Sequence, residues 1–135
     1  MDMQYLAGFF DGEGCISLGR RSDKDQIFLS IRVTNTKLSP LKLFLKEFGG
    51  KIFRRNPKTS RSKYSYFWKC YHPQQERFIT KVLIPYSIIK KEQGIIALDF
   101  LKLRGTRFSK NLTKSQKELR RVLHLRMSRL NKKGV

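Results

Sequence analysis

Residues 5–14, Tyr-Leu-Ala-Gly-Phe-Phe-Asp-Gly-Glu-Gly, constrain the fold of this chain more than any other stretch. The first part predicts a short apolar helix, in which Gly8 and Gly12 lie four residues apart and share one face. Each glycine inside a helix costs about 0.5–1 kcal/mol of stability. Two on one face therefore predict that another backbone comes very close. Asp11 and Glu13 follow at the C-terminal end, where the helix macrodipole disfavours negative charge and a cation would offset the repulsion.

The charge of the chain limits its functions. Thirty Lys and Arg against ten Asp and Glu give a formal charge of +20. Such self-repulsion destabilises a compact protein unless an anionic partner screens it. Nucleic acid is the first candidate partner and an acidic membrane surface is the second. Five of the ten acids lie in the first 25 residues, whereas residues 102–133 contain twelve bases and one acid, so an acidic focus within a basic surface is predicted.

The length of 135 residues predicts a single domain, 1–135, with its own core. Cys15 and Cys70 form neither a zinc set nor a disulfide framework, and we interpret them as buried or half-buried fillers in a reducing compartment. No signal peptide is recognised, and no apolar run approaches the ~20 residues that a membrane span needs. An intracellular protein without a membrane partner is expected.

Hydrophobic periodicity changes from helix to strand directly after the opening stretch. The predicted order is helix, two strands, helix, two strands and three further helices, the last of them basic. The strands are predicted at residues 15–21, 26–34, 51–55 and 63–71, and the later helices at residues 40–48, 73–84, 88–103 and about 113–130.

Capping residues and breakers set the predicted helix bounds. Ser39 is predicted to cap the second helix with Pro40 in its first turn, Pro85 to break the third helix, and Thr113 or Ser115 to cap the last. The apolar residues predicted to face the core from the last two helices are Ile89, Ile95, Ile96, Leu98 and Phe100, then Leu119, Val122, Leu123 and Met127.

The outward face of the two predicted hairpins combines guanidinium, ammonium, amide and hydroxyl groups with three phenyl rings. Arg and Gln can read purine edges in the major groove, which admits a two-stranded β-ribbon, and phenyl rings can contact thymine methyl groups. An ordinary solvated face is the alternative, against which the exposed phenylalanines argue. The predicted DNA-binding residues are Ser17, Gly19, Arg21, Gln26, Phe28, Ser30, Arg32, Lys51, Phe53, Arg55, Lys63, Ser65, Phe67 and Lys69.

Glu13 is the candidate metal ligand. Phosphodiester hydrolysis needs charge stabilisation and an activated water, and Mg²⁺ supplies both. This ion prefers one or two carboxylates together with waters and phosphate oxygens. Glu13, just past the helix end, and the carbonyl of Gly12 could bind it; an ordinary surface acid is the alternative. His72 and His124 are far apart in sequence and do not form a histidine-based nuclease site.

Residues 6–14, Leu-Ala-Gly-Phe-Phe-Asp-Gly-Glu-Gly, resemble the motif of the LAGLIDADG homing endonucleases. The predicted element order is also similar to the αββαββα core of that family. The resemblance therefore implies an α+β fold with a saddle-shaped antiparallel sheet and extra C-terminal helices. Because the motif occurs once, it implies a homodimer, paired through Leu6, Gly8, Phe9 and Gly12, on a near-palindromic duplex.

The same resemblance implies roles for the site residues. Glu13 would hold the metal, Asp11 would support the helix end, Asn35 would order the attacking water, and Lys90 would stabilise the transition state. An arginine that some family members carry just after the amide position has no counterpart here, where Lys37 is the available cation. Mg²⁺ is the implied cofactor, and Mn²⁺ or Ca²⁺ can occupy the same sites.

A site-specific double-strand DNA endonuclease that leaves short 3′ overhangs is therefore expected, in an organelle or a prokaryotic cytoplasm. Two alternatives are left open. The first is a non-cleaving binder of the same fold, either an intron RNA maturase, whose partner would be its host intron RNA, or a transcription factor. The second is a basic ribosome-associated protein, which would not require the opening motif.

Overall fold

A computed structural model describes residues 2–20, 27–57, 64–103 and 113–133 of the chain. Helices cover one face of a four-stranded antiparallel sheet, which confirms the predicted α+β architecture. In chain order the elements are α1 (Met3–Glu13), β1 (Gly14–Arg20), β2 (Ile27–Asn35), α2 (Leu38–Phe48), β3 (Lys51–Arg55), β4 (Ser65–Cys70), α3 (Gln74–Phe78), a π-helical turn (Ile79–Leu83), α4 (Ile84–Tyr86), α5 (Lys91–Leu103) and α6 (Lys114–Lys133).

The sheet has the strand order β1-β2-β4-β3, and every neighbouring pair is antiparallel. The predicted hairpins, β1 with β2 and β3 with β4, are therefore confirmed. They join through β2 and β4, which occupy the centre of the sheet. The predicted strand ends at residues 21, 26 and 63 lie outside the described residues.

Alternate strand residues point into the core, because successive side chains of a strand face opposite sides of the sheet. The buried strand residues are Ile16, Leu18, Ile27, Leu29, Ile31, Val33, Trp68 and Cys70, with Ser30 also nearly covered. The indole Nε1 of Trp68 donates to the Gly49 carbonyl at 2.7 Å. Tyr64 is 50% exposed and lies just before β4 begins at Ser65.

Helix α2 begins earlier than predicted. Its first residue is Leu38 and the cap position is Lys37, which makes no side-chain cap hydrogen bond. Ser39 is therefore not the cap, and both Ser39 and Pro40 lie in the first turn. The missing N–H of a proline costs no helical hydrogen bond at that position.

Pro85 does not end the helix that begins at Gln74. The N–H of Ile84 donates to the Ile79 carbonyl, five residues earlier, so a π-helical turn leads directly into α4. In an α-helix, proline clashes with the carbonyl four residues before it. The wider π-turn leaves room at this point, and the helical run continues to Tyr86 before Ser87 becomes extended.

Helix α5 begins at Lys91, three residues after its predicted start. Residues 88–90 form a bend instead of the first helical turn. Ile89 and Ile95, which were predicted to be core residues, are exposed, whereas Ile96 and Phe100 are buried as predicted.

Helix α6 starts with a capping box. The Thr113 hydroxyl accepts from the Gln116 N–H at 3.2 Å, and the Gln116 side-chain oxygen accepts from the Thr113 N–H at 2.9 Å. Two otherwise unpaired donors at the helix start are thereby satisfied. Of the two predicted caps, Thr113 is therefore correct.

The buried face of α6 differs in part from the predicted stripe. Leu123 and Met127 are buried as predicted, but Leu119 and Val122 are exposed. Arg120 is buried in their place, at 3% exposure. The helix is thus rotated relative to the face that its apolar residues alone indicate.

The two cysteines differ in environment, and both are free thiols. Cys70 is buried, and desolvation raises the pKa of its thiol to about 12. Cys15 is exposed, which corrects the prediction that both would be covered. Within the described ranges, the structure contains no helix with the length and apolar character of a membrane span.

Candidate active site and nucleic-acid interface

Gly14 shapes the end of α1. Its backbone is extended (φ −88°, ψ 162°) and its N–H donates to the Phe10 carbonyl, so the chain passes directly from α1 into β1. A Cβ on residue 14 would lie 2.3 Å from the Phe10 ring, and glycine is therefore required here. Glu13, the last residue of α1, is exposed at this junction of helix and sheet.

Asp11 holds the turn that precedes α5. Its carboxylate accepts hydrogen bonds from the Ser87 hydroxyl and from the N–H groups of Ile88, at 2.9 Å, and Ile89, at 3.3 Å. The Ser87 oxygen in turn accepts from the Lys90 N–H at 2.9 Å. The end of α1 and residues 87–90 therefore form one hydrogen-bonded unit.

These hydrogen bonds also set the charge state of Asp11. Burial alone would raise the pKa of this carboxyl, since desolvation disfavours the charged form. The hydrogen bonds from Ser87, Ile88, Ile89 and Lys90 outweigh burial and hold the pKa below its ordinary value of 3.8. Asp11 is thus an ionised hydrogen-bond acceptor at neutral pH. This charge state is consistent with the predicted role of Asp11 in supporting the helix end, which stays a prediction.

Asn35 ends β2, the strand that pairs with β1 from the residue after α1 onward. The register of β1 and β2 places Gly14 opposite Val33, and Asn35 follows two residues later at the end of β2. Its side-chain oxygen accepts from the Lys37 N–H at 2.8 Å. The Nδ2 group is therefore the part of the amide left to contact a ligand or water, and the predicted role of Asn35 remains a prediction.

Lys90 lies in the turn before α5 and not inside the helix as predicted. Its position nevertheless adjoins the end of α1, because Ser87 connects its backbone to Asp11. Ser87 is a residue that sequence reasoning missed. Its position could have indicated this role, because Ser87 lies two residues after Pro85, at the predicted end of a helix. Serine side chains at such places typically accept hydrogen bonds from nearby backbone N–H groups.

The predicted metal site contains one carboxylate from this chain. The described residues include no group of three or more His, Cys, Asp or Glu that could hold a metal ion. The Glu13 side chain is exposed, and its carboxylate forms no hydrogen bond or ion pair with the described part of the chain. A lone exposed carboxylate beside the Gly12 carbonyl, at a helix C-terminus, fits Mg²⁺, which keeps several waters and takes its other ligands from phosphates. It does not fit a structural zinc site.

The two glycines of α1 form an uncovered face. Gly8 and Gly12 are exposed, and a Cβ on either would meet no atom within 4 Å. Nothing in the described part of this chain therefore requires glycine at these positions. Phe9 is half-buried at the edge of this face, with its ring 5.9 Å from that of Phe44. Leu6 is 0% exposed in the core, so its prediction as a subunit contact is wrong.

The predicted DNA-binding residues are cross-strand neighbours on the face of the sheet opposite the core. The register pairs Ser17 with Ser30, Gly19 with Phe28, Arg32 with Lys69, Lys69 with Lys51, Phe53 with Phe67, and Arg55 with Ser65. Ser30, at 9% exposure, is almost covered by its neighbours. Arg21, Gln26 and Lys63 lie outside the described residues.

A row of cations crosses three strands of this face. Lys69 on the central strand β4 is directly opposite both Arg32 on β2 and Lys51 on β3. Like charges at directly opposite positions are destabilising. This arrangement costs the free protein stability, and an anion lying across the strands would offset that cost.

Aromatic rings position several of the cations. The rings of Phe53 and Phe67 stack at 4.9 Å, and the guanidinium groups of Arg32 and Arg55 lie 5.8 and 5.4 Å from the Phe67 ring. Such contacts limit the motion of the guanidinium groups. At the far edge, the Phe28 ring packs over Gly19, where a Cβ would lie 2.3 Å from it.

The predicted DNA-binding set leaves out two further residues of the outward face. Cys15 is opposite Arg32, and Thr34 is opposite Phe67, so both belong to the same rows of side chains. The strict alternation of strand side chains was sufficient to place them there. Arg54, whose guanidinium lies 4.8 Å from the exposed Tyr64 ring, adds a cation at the edge of the sheet.

Comparison with known proteins agrees with this geometry. The family model described as LAGLIDADG endonuclease matches residues 6–104. The fold is similar to that of the homing endonuclease I-CvuI in complex with its target in the presence of Ca, with a TM-score of 0.73 and 24% identity over 95% of this chain and 80% of that one.

Two further solved structures share the fold. The archaeal intron-encoded homing endonuclease I-Vdi141I, complexed with DNA, gives a TM-score of 0.73 and 16% identity over 95% of this chain and 82% of that one. The homing endonuclease I-TnaI gives 0.62 and 20% identity over 100% of this chain and 99% of that one. No curated protein matches the sequence. The family model covers well over half of the chain, which therefore belongs to the LAGLIDADG endonuclease family.

Proposed function

We propose that this protein is a homodimeric homing endonuclease that cuts both strands of a long, near-palindromic DNA duplex by Mg²⁺-dependent hydrolysis, leaving short 3′ overhangs. One observation carries the proposal. The exposed Glu13 ends α1 between two features: Asp11, two residues before it, binds the turn that carries Lys90, and β1 starts directly after it, with Cys15 opposite Arg32 of the cationic outward face. Family membership and the DNA complexes of proteins with similar folds support DNA as the partner.

The outward face of the sheet would bind the duplex. Antiparallel strands can enter the major groove, where Arg32 and Arg55 would contact purine edges and Phe53 and Phe67 would contact thymine methyl groups. The stacking of these arginines on Phe67 reduces the side-chain freedom that binding would otherwise remove. The cation row centred on Lys69 would provide salt-sensitive phosphate contacts.

The chemistry would take place at the end of α1. Glu13 and the Gly12 carbonyl would hold a divalent cation, which when bound supplies charge stabilisation and an activated water. The Nδ2 group of Asn35 would hold the attacking water, since its side-chain oxygen is already engaged with the Lys37 N–H. The Lys90 ammonium would neutralise charge that develops on the phosphate oxygens.

Cutting both strands needs two copies of this site. Each chain has one motif and one Glu13, so one chain would act on one strand. The uncovered face of Gly8 and Gly12 would allow α1 of a second copy to approach closely. A two-fold dimer presents two identical sheets, and its preferred target would be nearly palindromic.

Cleavage assays test this proposal. Cut duplexes are selected from a randomised near-palindromic library, and the selected target is then assayed with and without Mg²⁺. Glu13→Gln should slow cleavage by at least about a hundredfold, since several kcal/mol of charge stabilisation would be lost. The control is Glu118→Gln, an exposed acid on α6 that pairs with Arg121.

Two outcomes would refute the proposal. If Glu13→Gln cuts as fast as the parent, Glu13 does not bind a catalytic metal. If the parent protein selects no cut duplex but binds structured intron RNA tightly, the maturase alternative holds instead.

A further inference from the structure

Two isoleucines are exposed beside the glycine face of α1. Ile88 is 89% exposed and Ile89 is 60% exposed, in the turn that joins α4 to α5. Single exposed apolar residues are normal on protein surfaces. Exposure alone therefore does not identify an interface, but three further features of this turn do.

The first feature is order. The N–H groups of both isoleucines donate to the Asp11 carboxylate on α1, and the Ser87 hydroxyl donates to the same carboxylate. The turn is fixed before any partner arrives. Association through an ordered turn avoids the entropy cost that a loose loop would add.

The second feature is charge. Helix α1 and residues 84–89 contain no Lys or Arg, in a chain with a formal charge of +20. Two copies of such a chain repel each other over most of their surfaces, and like charges facing each other across an interface suppress association. A surface without cations is where two copies can meet at the lowest electrostatic cost.

The third feature is continuity. Helix α1 packs against α4, so the two cation-free segments adjoin. The open backbone at Gly8 and Gly12 lies on α1, and Asp11, which binds the turn, is on the same helix between them. The glycines and the isoleucines are thus all exposed, and the isoleucines are tied to the glycine-bearing helix through Asp11.

We propose that residues 87–89 are a second subunit contact, in which Ile88 and Ile89 pack against a second copy of this chain beside the glycine face. This inference rests on the proposed homodimer and deepens it. Since the Lys90 N–H is bound to Ser87 within the same turn, subunit pairing and the position of Lys90 share one structural unit.

The test compares two double variants by sedimentation equilibrium of the full chain. Ile88→Ser with Ile89→Ser should raise the dimer dissociation constant at least about tenfold, the equivalent of ~1.4 kcal/mol. The control replaces two exposed leucines of α6, Leu119→Ser with Leu125→Ser, and should leave that constant unchanged. Circular dichroism at a dilution where all proteins are monomeric should show the same fold in all three, because the isoleucines are exposed in the monomer.

Cleavage provides the second readout. The slower cutting of the isoleucine variant should recover at high protein concentration, because mass action restores the dimer. A parent that dimerises and an isoleucine variant with the same dissociation constant would overturn the contact and leave the homodimer intact. A parent that stays monomeric at every concentration, free and on DNA, would overturn the homodimer and this contact together.

Discussion

The Ser87 hydroxyl donates a hydrogen bond to the Asp11 carboxylate and so joins two residues 76 positions apart in the sequence. The same oxygen accepts from the Lys90 N–H at 2.9 Å. One hydroxyl group thereby connects the motif helix to the turn that carries the predicted catalytic lysine.

Replacing Ser87 with alanine should lower the free energy of unfolding by about 1–3 kcal/mol, the usual cost of leaving a hydrogen-bonding partner unsatisfied. It should also slow cleavage at protein concentrations that saturate the DNA, because the turn that positions Lys90 loses its anchor. Urea unfolding and single-turnover cleavage measure the two effects. Ser115→Ala, an exposed serine of α6, is the control. Unchanged values for Ser87→Ala would show that the Ser87 hydroxyl is needed neither for stability nor for cleavage.

Asp11 should make stability depend on pH in the acid range. Its pKa in the folded protein lies below the ordinary 3.8. The stability it contributes is therefore complete above that value and is lost as the pH falls through the folded pKa. The difference in unfolding free energy between the parent and Asp11→Asn should be constant between about pH 5 and 7 and should shrink below pH 3.8. Urea unfolding across this range measures it, with Asp99→Asn as the control; a difference that does not change with pH would contradict the assignment.

Replacing Gly8 with alanine should have opposite effects on the monomer and the dimer. The monomer should gain roughly 0.5–1 kcal/mol, since alanine is a better helix former than glycine and its methyl group meets no neighbour. The dimer should weaken, because the methyl group would separate the two α1 backbones. Thermal unfolding under dissociating dilution and sedimentation equilibrium report the two quantities, and Gly12→Ala should repeat the pattern. Equal dimer affinity in parent and variants would mean that α1 does not form the contact between the two subunits.

Replacing Lys69 with alanine should reduce the salt dependence of DNA binding. If each Lys69 of the dimer neutralises one phosphate, the steepness of the plot of log K against log salt concentration should fall by about 0.9 for each of the two copies. The free protein should gain roughly 0.2–1 kcal/mol of stability, because Lys69 no longer faces Arg32 and Lys51. Fluorescence anisotropy over a range of NaCl concentrations gives the slope. Lys42 is an exposed lysine of α2, and Lys42→Ala should change the salt dependence far less. The same change in both variants would mean that the cation row contributes no more to phosphate binding than other surface lysines.

The strands could be predicted from the sequence because their side chains alternate strictly. The predicted outward residues within the described ranges are cross-strand partners, and Trp68 and Val33 face the core as that alternation requires. A period of two leaves only two choices of face. Bulky apolar residues decide between them.

The buried face of a helix was harder to predict, because it depends on which other element of the chain packs against it. Helix α6 has apolar residues on two sides, and the helix turns Arg120 inward, where its guanidinium lies 4.7 Å from the Phe100 ring. Leu119 and Val122 are exposed as a result. Periodicity does not show which of two stripes will face a helix that is distant in sequence.

The turn before α5 shows the same limit at the candidate site. Its local sequence, Ser-Ile-Ile-Lys-Lys, favours the start of a helix, and the structure has a bend. The backbone N–H groups that a helix start leaves unpaired are bound instead by Asp11. The motif identified Asp11, but only the fold reveals which backbone groups it binds.

The alternation of the strands has a consequence for the evolution of this protein. Folding depends on one set of strand residues, such as Ile31 and Trp68, while their immediate neighbours in sequence, such as Arg32 and Phe67, face outward. Substitutions at the outward positions remove no core contacts. The outward surface can therefore acquire a new binding preference one substitution at a time, while the core that folds the protein stays unchanged. In a protein built in this way, the outward residues can change as the bound target changes, or be redesigned for another target, without repacking of the interior.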